Sequence, residues 1–143
     1  MNIYCAGPIR GDRSYAKFFF QMIILVQELG HIPLTELIPG SDGAKPSDSD
    51  DASIYRRDLD WLDRADTLVA EVSAPSLGVG YEIGYALHLR KIPVLCLQHR
   101  SVENLSAMLT GNREELLTVE SYGSVEEMEE KVRKFLEALV EDL

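Results

Sequence analysis

The chain has 143 residues, of which 45% are hydrophobic, and a formal net charge of −10. That length suits a single domain, 1–143, around one core, and the apolar content is too high for a disordered chain. The acidic balance excludes a long nucleic-acid partner, whose phosphates demand a basic surface, but still allows a small phosphorylated ligand held by a few N–H groups and one Arg.

In chain order, "NIYCAG" (2–7) reads as a buried strand ending in a glycine turn, and "SYAKFFFQMIILVQEL" (14–29) as a helix stopped by Gly30. "IPLT" (32–35) is a second short strand. Residues 39–53 are loop by composition, a lid or a solvated insertion. "SIYRRDLDWLDRAD" (53–66) is helical with Ser53 as N-cap, followed by the strand "TLVAEV" (67–72) and a helix opening near Val79 or Gly80. A strand at 92–97, a helix at 101–111, a weak strand at 116–121 and an amphipathic helix at 124–143 complete the chain. The last helix carries a capping box from Ser124 to Glu127.

Strands alternating with helices imply an α/β fold, an open and mostly parallel five-stranded sheet covered on both faces. Such sheets bind ligands beyond the carboxyl ends of their strands, where strand order reverses. The loops after the first and third strands, "GPIRGD" (7–12) and "SAPSLGVG" (73–80), should therefore converge. They place Gly7, Arg10, Ser76 and Gly78 at the expected site. The 14–29 helix is apolar around most of its circumference, with Phe20 and Ile24 off the main stripe. Either neighbouring segments cover it or it is a self-association surface.

Cys5 and Cys96 lie in apolar strand-like runs and read as reduced, buried thiols of a cytoplasmic protein. With three scattered histidines, His31, His88 and His99, they form no zinc spacing, and the histidines read as structural. The acidic run at 47–51 reads as a solvated loop. The N-terminus reads as a strand rather than a secretion signal, and no apolar run is long enough to span a bilayer, so no membrane partner is expected.

Two carboxylates stand out. On a helical wheel at ~100° per residue, Asp58 falls on the apolar stripe of Ile54, Trp61, Leu62 and Ala65, with Arg56, Arg57, Asp60, Asp63 and Arg64 opposite. A buried carboxylate needs a reason: a cap or an Arg partner on one reading, a proton donor with a raised pKa on the other. Glu82 reads as a first-turn residue that the helix dipole would favour, but it shares an inward stripe with Tyr85, Ala86 and Leu89. Arg10 is either a surface charge or a phosphate clamp, and Ser76 either a cap or a phosphate donor. "GPIRGD" is not GxGxxG, and "SLGVGYEIG" lacks the Lys-Ser/Thr of a P-loop, which disfavours a nucleoside triphosphate with magnesium. Neither a metal nor an organic cofactor is expected.

"IYCAGPIRG", "RRDLDWLDRADTLVAEVSAPSLGVGYEIGYAL" and "NLSAML" together resemble the 2'-deoxynucleoside 5'-phosphate N-hydrolases of the nucleoside 2-deoxyribosyltransferase superfamily. The resemblance implies cleavage of the N-glycosidic bond of deoxynucleoside monophosphates through a glycosyl-enzyme intermediate. It casts Glu82 as nucleophile, Asp58 as the carboxylate tied to proton transfer and base handling, and Tyr4 as the group orienting Glu82. Arg10 and Ser76 match phosphate-holding residues. The resemblance also implies a homodimer, with Ser106 and Met108 contributed across the interface. The first loop departs from the family's usual Gly-Ser-Ile-Arg: Pro8 offers neither a hydroxyl nor an N–H. That keeps open a deoxynucleoside substrate and base exchange, as in the transferases. A non-catalytic nucleotide-binding module is the alternative of another class.

Overall fold

Strand and helix alternate from the first residues of the computed structural model, which describes residues 1–9, 12–36 and 50–143. The strands are β1 (Asn2–Ala6), β2 (Ile32–Leu34), β3 (Thr67–Glu71), β4 (Val94–His99) and β5 (Leu117–Tyr122). The helices are α1 (Ala16–Glu28), α2 (Asp51–Arg64), α3 (Leu77–Gly84), α4 (Ala107–Thr110) and α5 (Val125–Glu141). All strand pairs are parallel and the order is β2-β1-β3-β4-β5. Strand order therefore reverses between β1 and β3, which brings the loops leaving those two strands together.

The central strands β1, β3 and β4 are buried on both sides, and their side chains alternate between two cores, while the edge strands β2 and β5 are partly exposed. Ile3, Cys5, Val69, Leu95 and Leu97 face α1 and α5. Tyr4, Ala6, Leu68, Ala70, Val94 and Cys96 face Leu62 of α2 and Val79 and Ile83 of α3. This period of two puts Tyr4 on the α2–α3 side and Cys5 away from it. Both cysteines are free and buried.

Local chemistry sets the boundaries, and several differ from the sequence expectation. Ser14 is drawn into a turn by Asp12, whose Oδ1 accepts from its N–H at 2.9 Å, so α1 starts at Ala16 rather than Ser14. The N-cap of α2 is Asp50, whose carboxylate accepts from the Ser53 N–H at 2.8 Å, so Ser53 lies inside the helix. α3 opens at Leu77 because Ser76 caps it, two residues ahead of the expected start. After Gly84 the helix widens into a π-type turn over Tyr85–Arg90 and ends at Lys91 with φ 54°. Only Ala107–Thr110 of the expected 101–111 helix is helical. Ser106 caps it, and the Val, Asn and Ser before it are weak helix formers. At α5, Ser124 Oγ accepts from Glu127 N–H, while Glu127 reaches back to the Gly123 N–H at 2.9 Å, one residue beyond the expected box.

The apolar breadth of α1 is covered in part within the chain, with Phe20 and Ile24 left half-buried. α5 packs along it, and Phe20 joins the core cluster on that side. Gly7 is required by packing: a Cβ there would lie 2.5 Å from the Phe19 ring. No helix among the described residues is long and apolar enough to cross a membrane.

Candidate active site

Tyr4 leaves the sheet toward α3, and its hydroxyl donates to Glu82 Oε1 at 2.8 Å. Glu82 is the sixth residue of α3, not in its first turn, so the dipole that would favour a terminal carboxylate has largely faded there. Burial dominates instead. It pushes the Glu82 carboxyl up to about 7; the Tyr4 hydrogen bond and Arg57 pull it down, and the Asp58 charge pushes it further up. Burial, reinforced by Glu82 and Asp58, also raises the Tyr4 hydroxyl far above its ordinary range, so Tyr4 remains a donor. Leu89, expected inward with Glu82, is exposed. The wide turn after Gly84 winds more residues per turn, so that spacing no longer returns to one face.

Asp58 comes from α2 and is half-buried, its side chain 25% exposed. Burial raises its carboxyl, while the adjacent guanidinium opposes that rise. Arg57 donates to Asp58 Oδ1 from both Nε, at 3.1 Å, and Nη2, at 2.9 Å. The same Nη2 lies 3.4 Å from Glu36 Oε2 just beyond β2, and the guanidinium sits 4.7 Å from the Trp61 ring centroid. Arg57 therefore does not belong to the solvated face. It is one turn before Trp61, and its long side chain folds back along that ring. The i, i+4 spacing of Arg57 and Trp61 was the available signal.

Around this core, α2 is tied to the wide turn after α3 by Tyr85, whose hydroxyl donates to Asp63 at 2.7 Å, and to α3 by the close hydroxyls of Tyr55 and Tyr81. Tyr4, Asp58 and Glu82, brought from β1, α2 and α3, form one electrostatically coupled group.

Ser76, Ser106 and Met108 border a different space, a cavity of about 660 Å³ between the β3–α3 loop, α3 and residues 104–112. Gly80, Ile83 and Gly84 form its α3 wall. At ~100° per residue, Glu82 is about half a turn away from that wall. Within one chain, then, Ser106 and Met108 meet Ser76 but not Glu82. Ser76 Oγ accepts from the Val79 N–H at 3.3 Å, and Ser106 Oγ from the Met108 N–H at 3.2 Å. Both are helix caps, and each hydroxyl proton is still free to be donated. The first N–H groups of α3, from Leu77 and Gly78, point out of the helix end. Arg10, like residues 39–49 of the loop, lies outside the described residues.

Beneath the β3–α3 loop is a buried acid that sequence reading missed. Glu71, 0% exposed, accepts from the Ser73 N–H at 2.6 Å and from the Tyr122 hydroxyl. Ser73 Oγ accepts in turn from the His99 N–H at 2.8 Å. A carboxylate inside the apolar run "TLVAEV" was its signal. The His99 ring packs among Tyr15, Phe18 and Tyr122, a structural placement.

The site's geometry can be set beside known proteins. The family model described as nucleoside 2-deoxyribosyltransferase matches residues 3–133. A Syntrophotalea carbinolica protein, provisionally named 2'-deoxynucleoside 5'-phosphate N-hydrolase 1, is 41% identical over 133 residues, 90% of this chain and 89% of its own. The 5-hydroxymethyl-dUMP N-hydrolase of Danio rerio is 37% identical over 145 residues, 99% of this chain and 100% of its own. Among solved structures, the CMP N-glycosidase of Clostridium botulinum superposes with a TM-score of 0.70 at 18% identity, covering 94% of this chain and 99% of that one. A 2-deoxyribosyltransferase from Bacillus psychrosaccharolyticus gives 0.64 at 19%, covering 90% of each. At those identities the two structures speak for the fold alone. The family match and the near full-length relatives go further: the chain belongs to the nucleoside 2-deoxyribosyltransferase family.

Proposed function

We propose that the protein hydrolyses the N-glycosidic bond of 2'-deoxynucleoside 5'-monophosphates, releasing a free base and 2-deoxyribose 5-phosphate. One observation carries the reading: a largely enclosed carboxylate, Glu82, half-buried and held by the Tyr4 hydroxyl, and coupled to a second carboxylate, Asp58. Relatives named N-hydrolases support it.

Tyr4 occupies Glu82 Oε1, which leaves Oε2 to attack the anomeric carbon. As the C–N bond breaks, its electron pair leaves with the base, and the base takes the Asp58 proton. The transition state is oxocarbenium-like, and the Glu82 carboxylate stabilises its positive charge. An ester between Glu82 and the sugar results. Water then attacks the same carbon and gives its proton to Asp58, and Glu82 departs as a carboxylate. A 2'-hydroxyl would crowd the nucleophile and disfavour the cation, so deoxyribose is the sugar.

The phosphate lies at the start of α3, against the Ser76 hydroxyl, the Leu77 and Gly78 N–H groups and Arg10, beside the close turn at Gly7. With Pro8 contributing no donor, the α3 end carries more of the load. The working form is a homodimer in which Ser106 and Met108 of one subunit reach the other's phosphate site. In its support, Leu77 and Met108 are 97% and 80% exposed, an apolar rim in need of cover. The two free thiols suit a reducing cytoplasm.

The test is a panel of ribo- and deoxyribonucleosides and their monophosphates, 5-hydroxymethyl-dUMP among them, with free base measured by chromatography. Deoxynucleoside monophosphates should release base with the wild type and not with Glu82→Ala, whose circular dichroism should be unchanged. Adding a second free base should give no new nucleoside; exchange would mark a transferase instead.

A further inference from the structure

Arg57 has no place in the mechanism above, yet no other half-buried cation is so closely held among the described residues near Glu82. Its Nε and Nη2 both donate to one oxygen of Asp58, Oδ1, and its Nη2 also faces Glu36. Its planar head lies over Trp61. A guanidinium gripped on three sides has few other rotamers open to it, and neither does the carboxylate it grips. Oδ2 of Asp58 has no hydrogen-bond partner among the described residues.

We propose that Arg57 is a positioning residue for Asp58: by saturating Oδ1 it fixes the carboxyl plane and makes Oδ2 the one oxygen through which Asp58 passes its proton to the leaving base. This rests on the reading of Asp58 as proton donor given above. A rotating carboxyl would present its proton to the base only part of the time, whereas a fixed one presents it in every encounter. The arrangement has a cost, because a cation beside Asp58 favours its ionised form. Burial and the charge of Glu36, facing Asp58 from the β2 side, offset that cost; Glu82 from α3 also faces it, and Tyr4 from β1 faces it as a neutral donor. An ion pair serving only stability would gain nothing from leaving one oxygen uncommitted.

The experiment compares wild type, Arg57→Lys and Arg57→Gln on two substrates. One is a deoxynucleoside monophosphate, whose base needs a proton to leave. The other is p-nitrophenyl 2-deoxyriboside 5-phosphate, whose leaving group needs none. Lysine keeps the charge but not the fork; glutamine removes the charge. Both variants should lose about 10- to 100-fold in kcat/KM on the nucleotide and stay within about twofold of wild type in kcat/KM on the nitrophenyl substrate, because kcat/KM reports the bond-breaking step alone and leaves out the later attack of water that both substrates share. With Arg57→Gln the high-pH limb on the nucleotide should also move up, since the cation no longer favours ionised Asp58. Equal losses in kcat/KM on both substrates would reduce Arg57 to a structural role and overturn the proposal, as would wild-type kcat/KM on the nucleotide for Arg57→Lys. Should Arg57→Gln fail to fold, Arg57→Lys alone decides between these outcomes. Glu82→Ala, run in parallel, separates a failure of the site reading: cleavage surviving in that variant would refute the nucleophile, whatever Arg57 does.

Discussion

Tyr4 and Glu82, 78 positions apart in the chain, are joined by a 2.8 Å hydrogen bond in which the phenol donates to the carboxylate. The bond exists because β1 alternates its side chains between two cores and sends Tyr4 to the side where α3 lies. It lowers a carboxyl that burial has raised. Tyr4 thus keeps the proposed nucleophile ionised over more of the neutral range than burial alone would allow.

The first prediction concerns pH. Glu82 must be ionised to attack, and its carboxyl stands at about 7, so kcat/KM should fall as pH drops below that value. Tyr4→Phe removes the hydrogen bond that pulls it down, and the acid limb should move to higher pH. At neutral pH the variant should lose about tenfold in kcat/KM, with less loss at pH 9. A pH–rate profile of both proteins checks this. A limb that stays in place would show that the bond does not govern ionisation.

The same group makes stability depend on pH. The folded-state carboxyl of Glu82 is raised, so its contribution is full at low pH and is lost as pH rises through about 7. Glu82→Gln should accordingly be more stable than wild type at pH 8.5, by about 1–3 kcal/mol, with a much smaller gap at pH 5. Thermal unfolding at the two pH values measures it. A variant less stable than wild type at pH 8.5 would contradict the sign.

Ser76 has two tasks that substitution can separate. Ser76→Ala removes the cap of α3 and should cost about 1 kcal/mol of stability, as well as raising KM for the nucleotide. Ser76→Asp keeps a capping oxygen but puts an anion where phosphate is proposed to bind. Its Tm should stay near that of wild type while KM rises more than about tenfold. Equal KM values for Ser76→Asp and wild type would take the phosphate away from this helix end.

The dimer is testable at its rim. Leu77 and Met108 are both exposed apolar residues beside the cavity next to α3. Met108→Asp should weaken association by about tenfold or more and lower activity in step, with folding intact. Sedimentation across a range of concentrations, with activity measured in parallel, checks this. A fully active monomer would show that no residue contributed across an interface is needed at the site.

Both acids of the site were legible from the sequence because a carboxylate on an apolar stripe is costly and therefore conspicuous. The parallel sheet was legible from alternation alone. What stayed hidden depended on long-range partners or on side-chain reach. Glu71 looks like a stray acid until β5 brings Tyr122 to it from 51 residues away. Arg57 looks solvated on a wheel, which records where a side chain starts and not where a long one folds. The early start of α3 was masked by Gly78 and Gly80, which read as loop until Ser76 is seen to cap them. The 101–111 segment looked helical by composition, but its cap sits at Ser106, so only one turn forms.

The most direct test looks for the bond itself. Rapid quenching of the wild type during turnover of a deoxynucleoside monophosphate, followed by proteolysis and mass spectrometry, should find 2-deoxyribose 5-phosphate esterified to the peptide that contains Glu82. The same peptide from Glu82→Gln should carry nothing. Steady turnover with no sugar on that peptide, or with the sugar on Asp58 instead, would contradict the account.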